Sequence, residues 1–336
     1  MKTFVCSQPG RLLYEEKNYP ASTAGCSIVR VRQIGVCGTD LHAYNGIQPF
    51  FTYPRVLGHE LAAEYVEGGA EGFSSGDLLT ILPYKSCGTC FACKQGKRNC
   101  CSTLSVLGVH EDGGMSEFIS VPDELLVHAK GLSLDQTALI EPLAIGAHAV
   151  TRAKINPHEF VLVIGAGPIG IGLLYFLSLI ECKVIVAETN LFRLKFCRST
   201  FPAVQCINPA VDDTPTALKD LTNGNMPSVV FDATGNLTSI HQSLSYLSHA
   251  GRYVLVGLQQ GNIQVNHPEF HKREAMLMSS RNATHADFEF VKESMLGNKI
   301  NPEEMITHRF EFDQLVEKFP TLYAEKDSLI KAMISC

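Results

Sequence analysis

The sequence predicts a two-domain α/β protein, an irregular antiparallel β barrel joined to a doubly wound parallel sheet. Three observations predict it. The chain has 336 residues, beyond the usual reach of one hydrophobic core. Roughly its first 143 residues carry short β-like runs punctuated by Gly and Pro. From Phe160 onward, nearly continuous apolar strands alternate with helical stretches.

In the first part the runs Ile28 to Arg32, Leu61 to Val66 and Leu78 to Leu82 read as strands between turn residues. The pattern changes near residue 142. The next strands are Phe160 to Ile164, Lys183 to Glu188, Gln205 to Ile207, Val229 to Ala233, Arg252 to Val256 and Ala275 to Ser279. Helices are expected between them, including Leu191 to Thr200 and Leu237 to Ser248. Six such strands match the two halves of a dinucleotide-binding domain. The last stretch leaves this alternation, and spacing alone does not show whether it packs back on the first domain. The expected boundaries are 1–143 with 282–336 for one domain and 144–281 for the other.

Charged residues make up 18% of the chain and the net charge is −6, with no dense Lys/Arg run. Neither nucleic acid nor a membrane surface is therefore an expected partner. The first residues, MKTFVCSQPGRLLYEE, lack a sustained apolar core, and the apolar stretch Ile164 to Ile180 is broken by glycines and Pro168. Twelve cysteines without a secretory leader point to a reducing compartment, the cytoplasm, where clustered thiols are more often metal ligands than disulfides.

Gly165-Ala-Gly167-Pro168-Ile169-Gly170 follows an apolar strand and opens a helix. In such a turn Gly165 permits the bend, Gly167 lets a pyrophosphate approach the backbone, and Gly170 lets helix and strand lie close. The helix N-terminus offers free N–H groups to phosphate. Glu188 ends the next strand, where a carboxylate accepts the ribose hydroxyls and repels a 2′-phosphate. NAD is expected over NADP, although Arg193 nearby is a residue type that accommodates the extra phosphate.

Cys87-Gly-Thr-Cys90-Phe-Ala-Cys93 is followed by the pair Cys100-Cys101. Four thiolates at this spacing can close a tetrahedral zinc site that holds a loop and does no chemistry. An iron–sulfur cluster is the alternative, and the adjacent Cys100 leaves the fourth ligand open.

Three further candidates are scattered: Cys37, His59 and Glu141. Singly, each has a plain structural role available, as a core thiol, a core histidine or a first-turn acid before Pro142. Their surroundings argue otherwise. Gly35-Val-Cys37-Gly-Thr39-Asp-Leu-His42 groups a thiol, a hydroxyl and an imidazole, and Gly58-His59-Glu60 sets an imidazole beside a carboxylate. One thiolate, one imidazole and one carboxylate make a zinc site with an open fourth position. Because adjacent residues rarely point the same way, Glu60 is expected behind the metal, or in exchange with Glu141 or water.

These segments, with Gly113-Gly-Met-Ser-Glu-Phe118, Glu141-Pro-Leu143 and Val256-Gly257-Leu258, resemble the zinc-containing medium-chain dehydrogenases over nearly the whole chain. The resemblance implies a GroES-like catalytic barrel, interrupted by a Rossmann NAD domain and completed by the C-terminal segment. It also implies two zinc ions per subunit and a homodimer or homotetramer. It selects Cys101 as the fourth thiolate. It assigns the substrate proton to Thr39 and then His42, and sets the backbone around Gly257 and Leu258 toward the nicotinamide. Glu141-Pro142 is similar to the polyol and sugar-acid branch. The stretches Gln48 to His59, Leu107 to Gly114 and Ile306 to Phe310 are similar to a subgroup with starvation-sensing-type and L-galactonate 5-dehydrogenases. One departure is Ala63, where the family usually has glycine.

A zinc-dependent, NAD-linked oxidation of a secondary alcohol on a sugar acid is the expected activity. A hexitol is the alternative substrate, and a non-enzymatic NAD sensor the alternative of another class. Arg281, after the last strand of the parallel sheet, is the candidate partner for a substrate carboxylate or for Glu141.

Overall fold

The computed structural model describes every residue except Phe50, so that one residue of the Gln48-to-His59 stretch lies outside the described residues. The chain divides into two compact units, Met1–Ala144 with Asn282–Cys336, and Ile145–Arg281.

In the first unit a seven-stranded sheet runs in the order Leu126–His128, Leu78–Ile81, Glu60–Glu67, Cys26–Val36, Lys331–Ser335 and Ile306–Glu311, with Phe118–Pro122 also pairing with Cys26–Val36. The long Cys26–Val36 strand is central because its residues are buried along most of its length. Ile34, Leu57, Leu61 and Leu79 are fully covered, as the apolar runs predict. Ala63 is buried as well, paired with Val31 and Leu79, so its methyl group is accommodated in the sheet.

The C-terminal segment is part of this unit. Lys331–Ser335 pairs antiparallel with Cys26–Val36, placing Ala332 opposite Val36 and Met333 opposite Gly35. On the other side, Gly35 pairs with Glu60. Side chains alternate along a strand, so Lys331 and Met333 share a face with Gly35 and Glu60. A Cβ on Gly35 would stand 2.1 Å from Glu60 Oε2. Glycine at this position leaves the gap across which Lys331 and Glu60 meet.

The second unit holds a six-stranded parallel sheet in the order Gln205–Ile207, Lys183–Ala187, Phe160–Ile164, Val229–Asp232, Arg252–Leu255, Met276–Ser279. Numbered along the chain this is 3-2-1-4-5-6, the doubly wound order of dinucleotide-binding domains. Val161, Leu162, Val163, Val229, Val230 and Phe231 are fully buried, which explains their unbroken apolar character. Several boundaries differ from the expectation. The strands from Lys183, Val229 and Arg252 each end one residue earlier, at Ala187, Asp232 and Leu255. The helix from Leu237 ends at Ser243 and tightens into a 3-10 turn, Leu244–Tyr246. The last strand begins at Met276. It is the open edge of the sheet, and its Met276 and Leu277 are exposed.

Candidate active site and cofactor turn

The first unit brings the scattered polar residues together. Cys37 is the N-cap of the short helix Gly38–Tyr44, and Asp40 folds back so that its carboxylate accepts the Cys37 N–H at 2.9 Å and the Gly58 N–H at 3.2 Å. Thr39 and His42 stand three residues apart on that helix and therefore share a face.

Cys37, His59 and Glu60 each offer a ligand atom, all within 4.8 Å of one another. Glu60, expected behind the metal or in exchange with Glu141 or water, thus lies close to both Cys37 and His59. His59 lies just outside the strand that Glu60 begins and follows Gly58 at φ +94°, so strand alternation does not hold across the junction.

Glu141 enters from the first turn of the helix Ile140–Ala153. Its Oε1 accepts the Tyr84 phenol proton in a short hydrogen bond. Both oxygens of Glu60 accept from the Lys331 ammonium, at 2.7 and 2.6 Å, and the same Nζ donates to the Val36 carbonyl at 3.2 Å. His59 Nδ1 is 3.6 Å from Asp40 Oδ1, too long for a hydrogen bond, and among the described residues it has no hydrogen-bond partner.

The electrostatics show what this cluster lacks. Asp40, Glu60 and Glu141 are all buried, against one buried ammonium, Lys331. Burial pushes the Glu141 carboxyl up, with Glu60 adding repulsion and His59 opposing it. Burial works against the His59 imidazolium, yet the charges of Asp40 and Cys37 outweigh it and raise its pKa. Burial and the Glu141 charge keep the Tyr84 phenol protonated, so it is the donor. A thiol, an imidazole and carboxylates that are largely buried and short of positive charge suit a divalent cation with mixed S, N and O ligands.

The four cysteines also converge. Cys87, Cys90, Cys93 and Cys101 place their sulfurs within 4.8 Å of one another. The Cys90 N–H points at Cys87 Sγ and the Cys87 N–H at Cys101 Sγ, each at 3.3 Å. N–H groups from Thr89 and Cys90 lower the Cys87 thiol to about 5, favouring the thiolate that a metal requires. Cys100, the neighbour that left the register open, is exposed and outside this group.

In the second unit Gly165 adopts φ +88°, which a side chain disfavours, and a Cβ on Gly170 would stand 1.9 Å from the Gly165 carbonyl oxygen. Gly167 is the N-cap of the helix Pro168–Leu177, with no side chain capping its free N–H groups. A Cβ there would meet nothing nearer than the Arg193 guanidinium at 3.9 Å, so the space over the turn is open and faces a cation. Pro168 and Ile169 form the first turn of that helix. Glu188 is buried beside the turn. Its Oε2 accepts the Ala166 N–H at 2.7 Å and its Oε1 the Asn190 N–H at 2.8 Å. Val256 and Gly257 both donate their N–H groups to the Asp232 carbonyl at 2.9 Å, while Leu258 is exposed. The turn and carboxylate fit a dinucleotide. Arg281 is exposed at the end of this unit.

Sequence reasoning missed Tyr84, Lys331 and Asp232. Asp232 closes the fourth strand, and its carboxylate accepts the N–H groups of Thr234 and Gly235. Those bonds fix the loop against which Gly257 packs.

Residues 23–131 match the alcohol dehydrogenase GroES-like domain and residues 168–295 the zinc-binding dehydrogenase domain. L-galactonate-5-dehydrogenase from Escherichia coli strain K12 is 40% identical, covering 100% of this chain and 99% of its own. The chain belongs to the zinc-containing medium-chain dehydrogenases. A sorbitol dehydrogenase from Halalkalibacterium halodurans is 32% identical, with 92% of each chain covered. Among solved structures, the rspB alcohol dehydrogenase from E. coli CFT073, complexed with NADH, superposes with a TM-score of 0.93 at 30% identity, covering 100% of this chain and 99% of that one. The predicted pairing of a GroES-like domain with a Rossmann-like sheet is therefore correct, and the protein is a dehydrogenase. Among the described residues no helix is long and apolar enough to cross a membrane.

Proposed function

We propose that this dehydrogenase oxidises a secondary alcohol of a sugar acid, a hexonate such as L-galactonate, with NAD. The observation that carries the substrate class is the end-to-end 40% identity to L-galactonate-5-dehydrogenase. Cys37, His59 and Glu141 would hold the catalytic zinc, with Glu60 in reach, and the four-cysteine lobe a second, structural zinc. The catalytic ion, when bound, supplies a Lewis acid that acidifies the substrate hydroxyl. NAD, when bound, supplies the hydride acceptor. The chain's own residues do the rest. Thr39 Oγ1 takes the hydroxyl proton and His42 passes it to solvent. Asp40 backs the His59 imidazole, and the buried walls exclude water.

Incubation with NAD and a panel of aldonates and hexitols, following NADH appearance, tests this directly. Strong reduction with one hexonate and none with hexitols is the expected result. Reduction with hexitols alone would move the substrate to the polyols, the second reading, which the sorbitol dehydrogenase relative favours. Arg281→Ala should raise KM for the hexonate and leave a neutral polyol unaffected. An unchanged hexonate KM would remove Arg281 from carboxylate recognition.

Cofactor choice follows from Glu188. Its loss removes a charged acceptor for the ribose hydroxyls and the negative charge that would repel a 2′-phosphate near Arg193. Glu188→Ser is expected to shift the NAD-to-NADP ratio of kcat/KM by roughly 10- to 100-fold toward NADP. A ratio that stays put would take Glu188 out of the ribose site.

A further inference from the structure

Glu60 and Glu141, buried and close enough for their charges to repel, are held by different chemistry. Glu60 gives both oxygens to an ammonium, so its charge is already matched. Glu141 gives one oxygen, Oε1, to a neutral phenol. A neutral donor can fix a carboxylate without neutralising it, which is what a metal ligand needs from its partner.

Tyr84 is built to do this. It opens the two-residue strand Tyr84–Lys85, paired with Ser105–Val106, so its backbone is tied down. Its ring is 5% exposed and stands edge-on to Phe288 at 6.5 Å and 90°. The phenol therefore has little freedom to leave Glu141, and a buried hydroxyl deprived of this acceptor would be left unsatisfied.

We propose that Tyr84 is a positioning residue that holds Glu141 by Oε1 and presents Oε2 to the catalytic metal. The inference rests on the proposed role of Glu141 as a ligand. It makes the carboxylate's partner, rather than the carboxylate alone, the determinant of which acid binds the metal.

Tyr84→Phe removes one oxygen and keeps the ring against Phe288. Zinc competition against a chromogenic chelator, resolved into its two classes of site, should show catalytic-site affinity falling by about 10- to 100-fold. Affinity at the four-cysteine lobe should not change, which reports an intact fold. With cobalt in place of zinc, the visible absorption of the catalytic site should shift. Glu141→Gln is the reference. If it leaves catalytic-site affinity at the wild-type value, the ligand role of Glu141 falls and this inference with it. If it weakens the metal but Tyr84→Phe changes neither affinity nor the cobalt spectrum, the ligand role stands and Tyr84 is overturned. The double variant, which leaves neither partner with an unmatched charge, gives a second route. Affinity equal to that of Glu141→Gln alone supports action through Glu141, whereas a further, additive loss overturns it.

Discussion

Cys37→Ser and His59→Ala should each abolish turnover while leaving NAD binding nearly intact. The separation follows from where the groups lie. Cys37, His59, Glu60 and Glu141 belong to the first unit, whereas the glycine turn, Glu188 and Arg193 belong to the second. Serine keeps the shape of Cys37 but replaces a soft thiolate with a hard, poorly acidic hydroxyl, a weak ligand for zinc. Alanine at His59 removes the imidazole from a position 6% exposed, where water replaces it poorly. Loss of metal-assisted stabilisation of the developing charge lowers kcat by on the order of 10³-fold or more. Steady-state assays supply kcat, and the fluorescence of bound NADH supplies its Kd. A variant that kept a tenth of the wild-type rate would show that these side chains do not hold the catalytic ion. One that lost NADH binding in parallel would show that the substitution had damaged the fold.

The parts legible in the sequence are those whose physics repeats locally. The parallel strands could be placed because burial on both faces demands runs such as Val161 to Ile164 and Val229 to Phe231. The glycine turn and the cysteine lobe were visible because each packs its constraints into a few consecutive residues. What escaped was set by register between distant strands. Nothing near Glu60 announces Lys331, which reaches it only because both flank Gly35 in the sheet. One signal was there to be used. Lys331 interrupts Leu329-Ile-Lys-Ala-Met-Ile334, and a lysine inside an otherwise apolar strand asks for a buried acid. Tyr84 carried no such mark, since a tyrosine in a short strand is ordinary. His59 and Glu60 come close because the strand starts only at Glu60, a boundary that the alternation of the sequence does not mark.

Lys331 is expected to carry a large stability effect. Lys331 and Glu60 are each 1% exposed, and burial that would otherwise strip the lysine's proton is outweighed by the Glu60 charge, so its pKa is raised. Methionine at Lys331 fills most of the volume but leaves Glu60 a buried, unmatched carboxylate whose charge repels those of Asp40 and Glu141. Breaking such a pair from one side costs about 3–5 kcal/mol. In Lys331→Met the guanidinium denaturation midpoint of the metal-free protein should fall accordingly. Removing both charges is a different matter, because the desolvation of Glu60 disappears with its partner. Lys331→Met with Glu60→Met should therefore recover most of the loss. Zinc provides a further discrimination. Glu60 lies within ligand distance of Cys37 and His59, so a bound cation gives the orphaned carboxylate somewhere to go. The single variant should then lose less stability when zinc-loaded than when metal-free, and its activity should fall as Glu60 occupies the position meant for substrate. Equal losses in both forms would mean that Glu60 cannot reach the metal. Lys331 would then serve only to offset a charge left behind it.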